Sequence, residues 1–102
     1  MLRNNRTGTK PKDELARELL LFKYSSLIHK SNLGLVQQVI MQMLLFEVPG
    51  IAYLPAITTS SWLGGRPKRT IEQALKRLVL RNILILREDG AYMVNLNEQT
   101  WN

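Results

Sequence analysis

Residues 63–79 (LGGRPKRTIEQALKRLV) constrain the fold more than any other stretch of this chain. At helical spacing Ile71, Ala74, Leu75, Leu78 and Val79 fall at i, i+3, i+4, i+7 and i+8, a single buried stripe. The remaining surface receives six cations (Arg66, Lys68, Arg69, Lys76, Arg77 and Arg81) against Glu72 alone. Gly64 and Gly65 precede the helix, and Pro67 suits its first turn, where a missing N–H costs nothing. The pattern predicts a helix over residues 67–81 that buries one face and offers cations, Thr70 and Gln73 on the other. Such a surface suits a polyanion.

The next segment reads as extended. Residues 83–86 are apolar, Asp89 and Gly90 form a two-residue turn signal, and residues 91–96 alternate. This predicts a β-hairpin closed by a type I′ turn, which needs positive φ at both Asp89 and Gly90. A basic helix feeding directly into a short hairpin resembles the winged helix-turn-helix family of DNA-binding proteins. The matching residues are Leu63, Gly65 as the turn glycine, Arg66 to Ile71 leading into the recognition helix, Leu75 and Leu78 as its core anchors, and Asn82, Ile83 and Leu84 turning into the wing. The resemblance covers residues 33–97. It implies a mainly α fold with a small β-hairpin wing, here with an added N-terminal helix.

The same resemblance assigns roles by docking geometry. The first turns of a recognition helix meet base edges in the major groove, so Lys68, Arg69, Thr70 and Gln73 are the base-reading candidates. Arg66, Lys76, Arg77, Arg81 and, on the wing, Arg87 are the phosphate-contacting candidates, which set affinity and register without choosing sequence. Two features depart from the family pattern: the extra Gly64 before the turn, and the hydroxyl-rich segment 55–63. Glu88 and Asp89 at the wing tip repel phosphate, so the wing is not expected to enter a groove.

At 102 residues the chain fits one domain. The absence of cysteine removes disulfides and cysteine-ligated metal sites. A net charge of +6 favours an acidic partner. Ten of the fourteen basic residues fall in two blocks, the first being Arg3, Arg6, Lys10 and Lys12 and the second running from Arg66 to Arg81. No signal peptide is read, and the longest apolar segment, 33–46, is interrupted by Gln37, Gln38 and Gln42, short of a membrane span. The expectation is a cytoplasmic protein, nucleoid-associated if bacterial or archaeal, with no membrane partner.

The chain divides into a flexible basic arm (1–10), an N-terminal helix (11–30), the winged-helix DNA-binding domain (31–97) and a C-terminal tail (98–102). The first helix is expected over 11–28, with Leu15, Leu19 and Phe22 on one face and Leu20, Leu21 and Tyr24 widening the apolar arc. That excess marks a possible homodimer through Leu15, Leu19, Leu20, Phe22 and Tyr24, the alternative being a helix folded back over its own domain, against Trp101. Ser31 or Asn32 would cap a second, almost wholly apolar helix over 33–46. Residues 51–54 read as a third strand beside the wing, and Pro55 opens a short helix reaching Leu63, with Ile57 and Trp62 facing inward.

Catalysis finds little support. His29 is the single histidine, which removes two-histidine mechanisms and histidine-based metal sites. Ser60 and Ser61 lack a neighbouring base. Gly64 and Gly65 lack the spacing of a phosphate loop. The sequence therefore predicts a double-stranded DNA-binding transcriptional regulator, a repressor and homodimer, without enzymatic activity, cofactor, metal or small-molecule ligand. Two alternatives are a replication or partition factor of a mobile element and a winged-helix protein-interaction module.

Overall fold

The computed structural model describes residues 12–47 and 50–102. It is mainly helical, with one small antiparallel sheet. In chain order the elements are α1 (Lys12–Phe22), α2 (Tyr24–Ser31), α3 (Leu35–Gln42) continuing into a π-helical turn (Met43–Glu47), β1 (Ile51–Ala52) and α4 (Leu54–Thr58). A 3-10 turn (Ser61–Leu63), α5 (Lys68–Leu80), β2 (Leu84–Leu86), β3 (Tyr92–Val94) and a last 3-10 turn (Glu98–Thr100) complete it. Among the described residues no helix is long and apolar enough to cross a membrane.

The sheet has the order β1-β3-β2, so the hairpin's second strand is central. Met93 pairs with both Ile51 and Ile85, and Tyr92 with Ala52 and Leu86. The third strand expected beside the hairpin is thus present. Alternation across the pleat turns Leu84 and Val94 into the core and Ile85 outward.

The hairpin loop corrects the expected type I′ turn. Gly90 N donates to Arg87 O (3.0 Å) and Arg87 N to Ala91 O (2.8 Å), and only Gly90 of the loop has positive φ, +89°. Glu88 and Asp89 form a type I turn and Gly90 takes the left-handed position after it, a three-residue loop. Asp89 directs this choice, since its Oδ1 accepts from Ala91 N (3.1 Å).

The expected first helix is bent into two. The bend falls at Lys23, whose φ of −93° and ψ of 5° leave the helical region. No glycine or proline stands there, and tertiary anchors hold it. Lys23 Nζ reaches Glu98, and Tyr24 Oη donates to Gln38 O (3.1 Å). The expected face is also reversed: Leu20 is buried and Leu21, Tyr24 and Leu27 pack on the core, while Leu15, Leu19 and Phe22 face solvent. The arc had room for either choice, and Arg17, bonded to Leu45 O (3.1 Å), fixes it.

Three boundaries differ as well. Asn32 ends α2 in the left-handed conformation (φ 53°), and α3 is capped by Gly34, whose N–H donates to Gln37 Oε1 (3.1 Å). The helix expected over 33–46 widens into a π turn after Gln42, and the one over 55–63 stops at Thr58. There Thr58 and Thr59 hydroxyls both donate to Pro55 O, and Ser60 Oγ accepts from Trp62 N to start a separate 3-10 turn.

The core is one cluster. Ile40, Met41, Met43, Leu44 and Leu45 meet Ile57, Leu63, Ile71, Leu75, Leu78, Ile83 and Leu84, all fully buried. At about 2 kcal/mol for each large side chain buried, Ile71, Leu75 and Leu78 together hold α5 in place by several kcal/mol before entropic costs.

Candidate nucleic-acid interface

Helix α5 begins where Gly65 turns the chain. Its φ of +76° is a conformation that L side chains rarely adopt, and Arg66 N then donates to Leu63 O (3.0 Å). Pro67 stands at the N-cap with φ −58°, and its carbonyl accepts the first helical bond from Ile71 N (3.2 Å). The far end closes in a Schellman motif: Ile83 N donates to Leu78 O and Asn82 N to Val79 O, with Asn82 at φ 59° in the place glycine usually takes. Both ends of the helix are therefore fixed by local geometry.

Ile71, Ala74, Leu75 and Leu78 are the buried residues of α5. At 100° per residue Arg69, Gln73 and Lys76 fall on the line opposite them, flanked by Lys68, Thr70, Glu72 and Arg77, and all seven are exposed. Among the described residues no ion pair engages Lys68, Arg69, Lys76 or Arg77. Four cations thus share one solvent face with a single acid. Leu80, also exposed, ends the line with an apolar side chain.

The remaining expected phosphate contacts are placed differently. Arg66 is half-buried, its Nη1 3.5 Å from Leu63 O. Arg81 lies behind the exposed face, its Nε on Asn102 O (2.8 Å) and its Nη2 on Ser31 O (2.7 Å), so it ties α2 and the C-terminal segment to the end of α5. Arg87 pairs with Asp89 Oδ2 (3.0 Å), which also accepts from Tyr53 Oη (3.1 Å). The amide of Ala91, then the Tyr53 hydroxyl and Arg87, hold the Asp89 carboxyl below the usual carboxylate range. Arg87 and Asp89 thereby neutralise each other, and the exposed Glu88 leaves the wing tip net negative. Arg3, Arg6 and Lys10 of the expected arm lie outside the described residues, as does the side chain of Lys12.

Sequence reasoning missed Asn95, which is buried beneath the hairpin. Its Nδ2 donates to Asn82 O and Thr100 Oγ1 (2.7 Å each), its Oδ1 accepts from Asn97 N (3.1 Å), and its carbonyl accepts Trp101 Nε1 (2.9 Å). One side chain thus joins the end of α5 to the tail. Asn95 follows β3 and, counted by alternation from the inward Val94, falls at an outward register, so no signal in the sequence marked its burial. Trp101 packs on the core through this network, and His29 is exposed in the last turn of α2. Among the described residues no three His, Asp or Glu side chains come together as a metal site would require.

Compared with known protein families, curated proteins and solved structures, the chain matches none.

Proposed function

We propose that the chain is a winged-helix protein that binds double-stranded DNA with α5 in the major groove and regulates transcription. One observation carries this reading: the solvent face of α5 holds Lys68, Arg69, Lys76 and Arg77 exposed and without an ion pair among the described residues, on a helix held rigidly by its buried face and by both ends. The helix-turn-helix order of α4, the 3-10 turn and α5, followed by a hairpin whose second strand is central, supports the winged-helix assignment.

Within this reading Arg69, Thr70 and Gln73 lie at the N-terminal half of α5, where base edges are met, with Lys68 at its first turn. Arginine grips guanine through two acceptors and glutamine pairs with adenine in the same two-bonded manner. Lys76 and Arg77, farther along, meet phosphates, and Arg66 joins them from the turn. Arg81 and Arg87 serve the fold. The wing, with Arg87 held by Asp89, adds little attraction, so recognition falls on the helix.

The test is amide NMR of the full chain titrated with selected duplex DNA from a pool of random sequences. Shifts concentrated on residues 66–77 are the expected result. Shifts concentrated on the hairpin or on α1, or none at low salt, overturn the reading.

A further inference from the structure

Helix α1 is apolar on two opposite faces. Leu20 turns into the core, whereas Leu15, Leu19 and Phe22, at i, i+4 and i+7, form a line on the far side. Phe22 is 90% exposed, more than any other large apolar residue described. It stands at the mouth of a cleft of about 720 Å³ between α2 and the C-terminal turn. Leu27 and Trp101 supply apolar walls, and Arg81, held by the carbonyls of Ser31 and Asn102, lines the same cleft. The phenyl ring thus lines the rim of a cavity that it does not fill.

We propose that a second copy of this chain covers this surface, with a two-fold axis beside Phe22. Each Phe22 then enters the partner's cleft against Leu27 and Trp101, and the Leu15 and Leu19 line extends the contact. Projecting ring and open cleft are neighbours on one chain, so a single two-fold operation satisfies both at once, as a closed isologous interface requires. An aromatic anchor seated in a pocket is also the arrangement that concentrates binding energy.

Area sets the strength. The exposed parts of Leu15, Leu19 and Phe22 present on the order of 300–400 Å². Even with the cleft walls, the contact stays below the roughly 800 Å² per partner of a standard stable interface. The dimer is therefore reversible, with dissociation in the micromolar range rather than the nanomolar. Two copies of α5 on one duplex would follow, a consequence that rests on the proposed DNA reading; the dimer itself does not.

Sedimentation equilibrium of the full chain, from micromolar to hundreds of micromolar and without DNA, tests the proposal. The expected result is a reversible monomer–dimer equilibrium accompanied by a concentration-dependent shift of the Trp101 indole N–H signal, with that of Trp62 unmoved. Phe22→Glu should weaken association by about tenfold or more while leaving the circular dichroism spectrum unchanged, because the side chain lies in solvent. Ile85→Glu, on the outer face of the sheet, should leave association unchanged. A monomer at every concentration, a dimer indifferent to Phe22→Glu, or a dimer lost in Ile85→Glu overturns the proposal. Failure here leaves the DNA reading standing, since no DNA is present in the measurement.

Discussion

Gly65 sets the direction in which α5 leaves the preceding turn, and replacing it with alanine isolates one physical term. At its φ of +76° an added Cβ crowds the following carbonyl, a penalty of about 1–2 kcal/mol. A Cβ built there meets no other atom within 4 Å, so neighbours neither add to the penalty nor relieve it. The lost freedom of the unfolded chain works the other way by about 0.4–1 kcal/mol, which leaves a net destabilisation near 1 kcal/mol. For a domain of this size that lowers the melting temperature by roughly 4–8 °C. Asparagine tolerates the left-handed region, so Gly65→Asn should fall between alanine and the wild type. Thermal unfolding followed by circular dichroism at one pH and salt reads both variants. A Gly65→Ala protein that melts with the wild type refutes the argument that Gly65 is the turn.

Asn95→Leu should cost about 2–3 kcal/mol in denaturant unfolding, because Asn82 O, Thr100 Oγ1 and Asn97 N lose their partners beneath the hairpin. Asn82→Ala should cost about 1–2 kcal/mol through its left-handed backbone, and Asn82→Gly less, although both lose the bond from Asn82 Nδ2 to Thr100 O. Asp89 should titrate below free aspartate in a carboxyl NMR titration. Because its folded value is lowered, the stability it contributes is present above the unfolded carboxyl pKa and fades as pH falls through the folded value. Tyr53→Phe should move that midpoint upward, and an unchanged midpoint would remove the hydroxyl from the account.

The sequence was most legible where periodicity and local stereochemistry agree. The α5 stripe at residues 71, 74, 75 and 78 is buried as its spacing required, and Gly65 takes the positive φ expected of a turn glycine. The third strand and the antiparallel sheet followed from short apolar runs bounded by turn residues. Legibility failed where tertiary contacts choose among locally equal options. Nothing near Lys23 signals a bend; Glu98, far along the chain, holds it. The α1 arc had too many apolar residues to show which would be buried. In the candidate interface, charge identified the face of α5, but the engagement of Arg81 with Ser31 and Asn102, and of Arg87 with Asp89, depends on neighbours brought by folding. The three-residue hairpin loop turned on Asp89 accepting the Ala91 amide, a competition that the Asp-Gly pair alone does not decide.

The salt dependence of DNA binding tests the central claim most directly. Fluorescence anisotropy of a labelled duplex would be measured over a series of salt concentrations for the wild type, for Lys76→Gln/Arg77→Gln, and for Arg81→Gln. Each phosphate contact contributes roughly −0.9 to the slope of log affinity against log salt. The account predicts that the double variant loses about two units of slope on cognate and random duplexes alike, with Arg81→Gln keeping the wild-type slope. A slope unchanged in the double variant, or one that falls in Arg81→Gln instead, contradicts the assignment of α5 as the DNA-binding face.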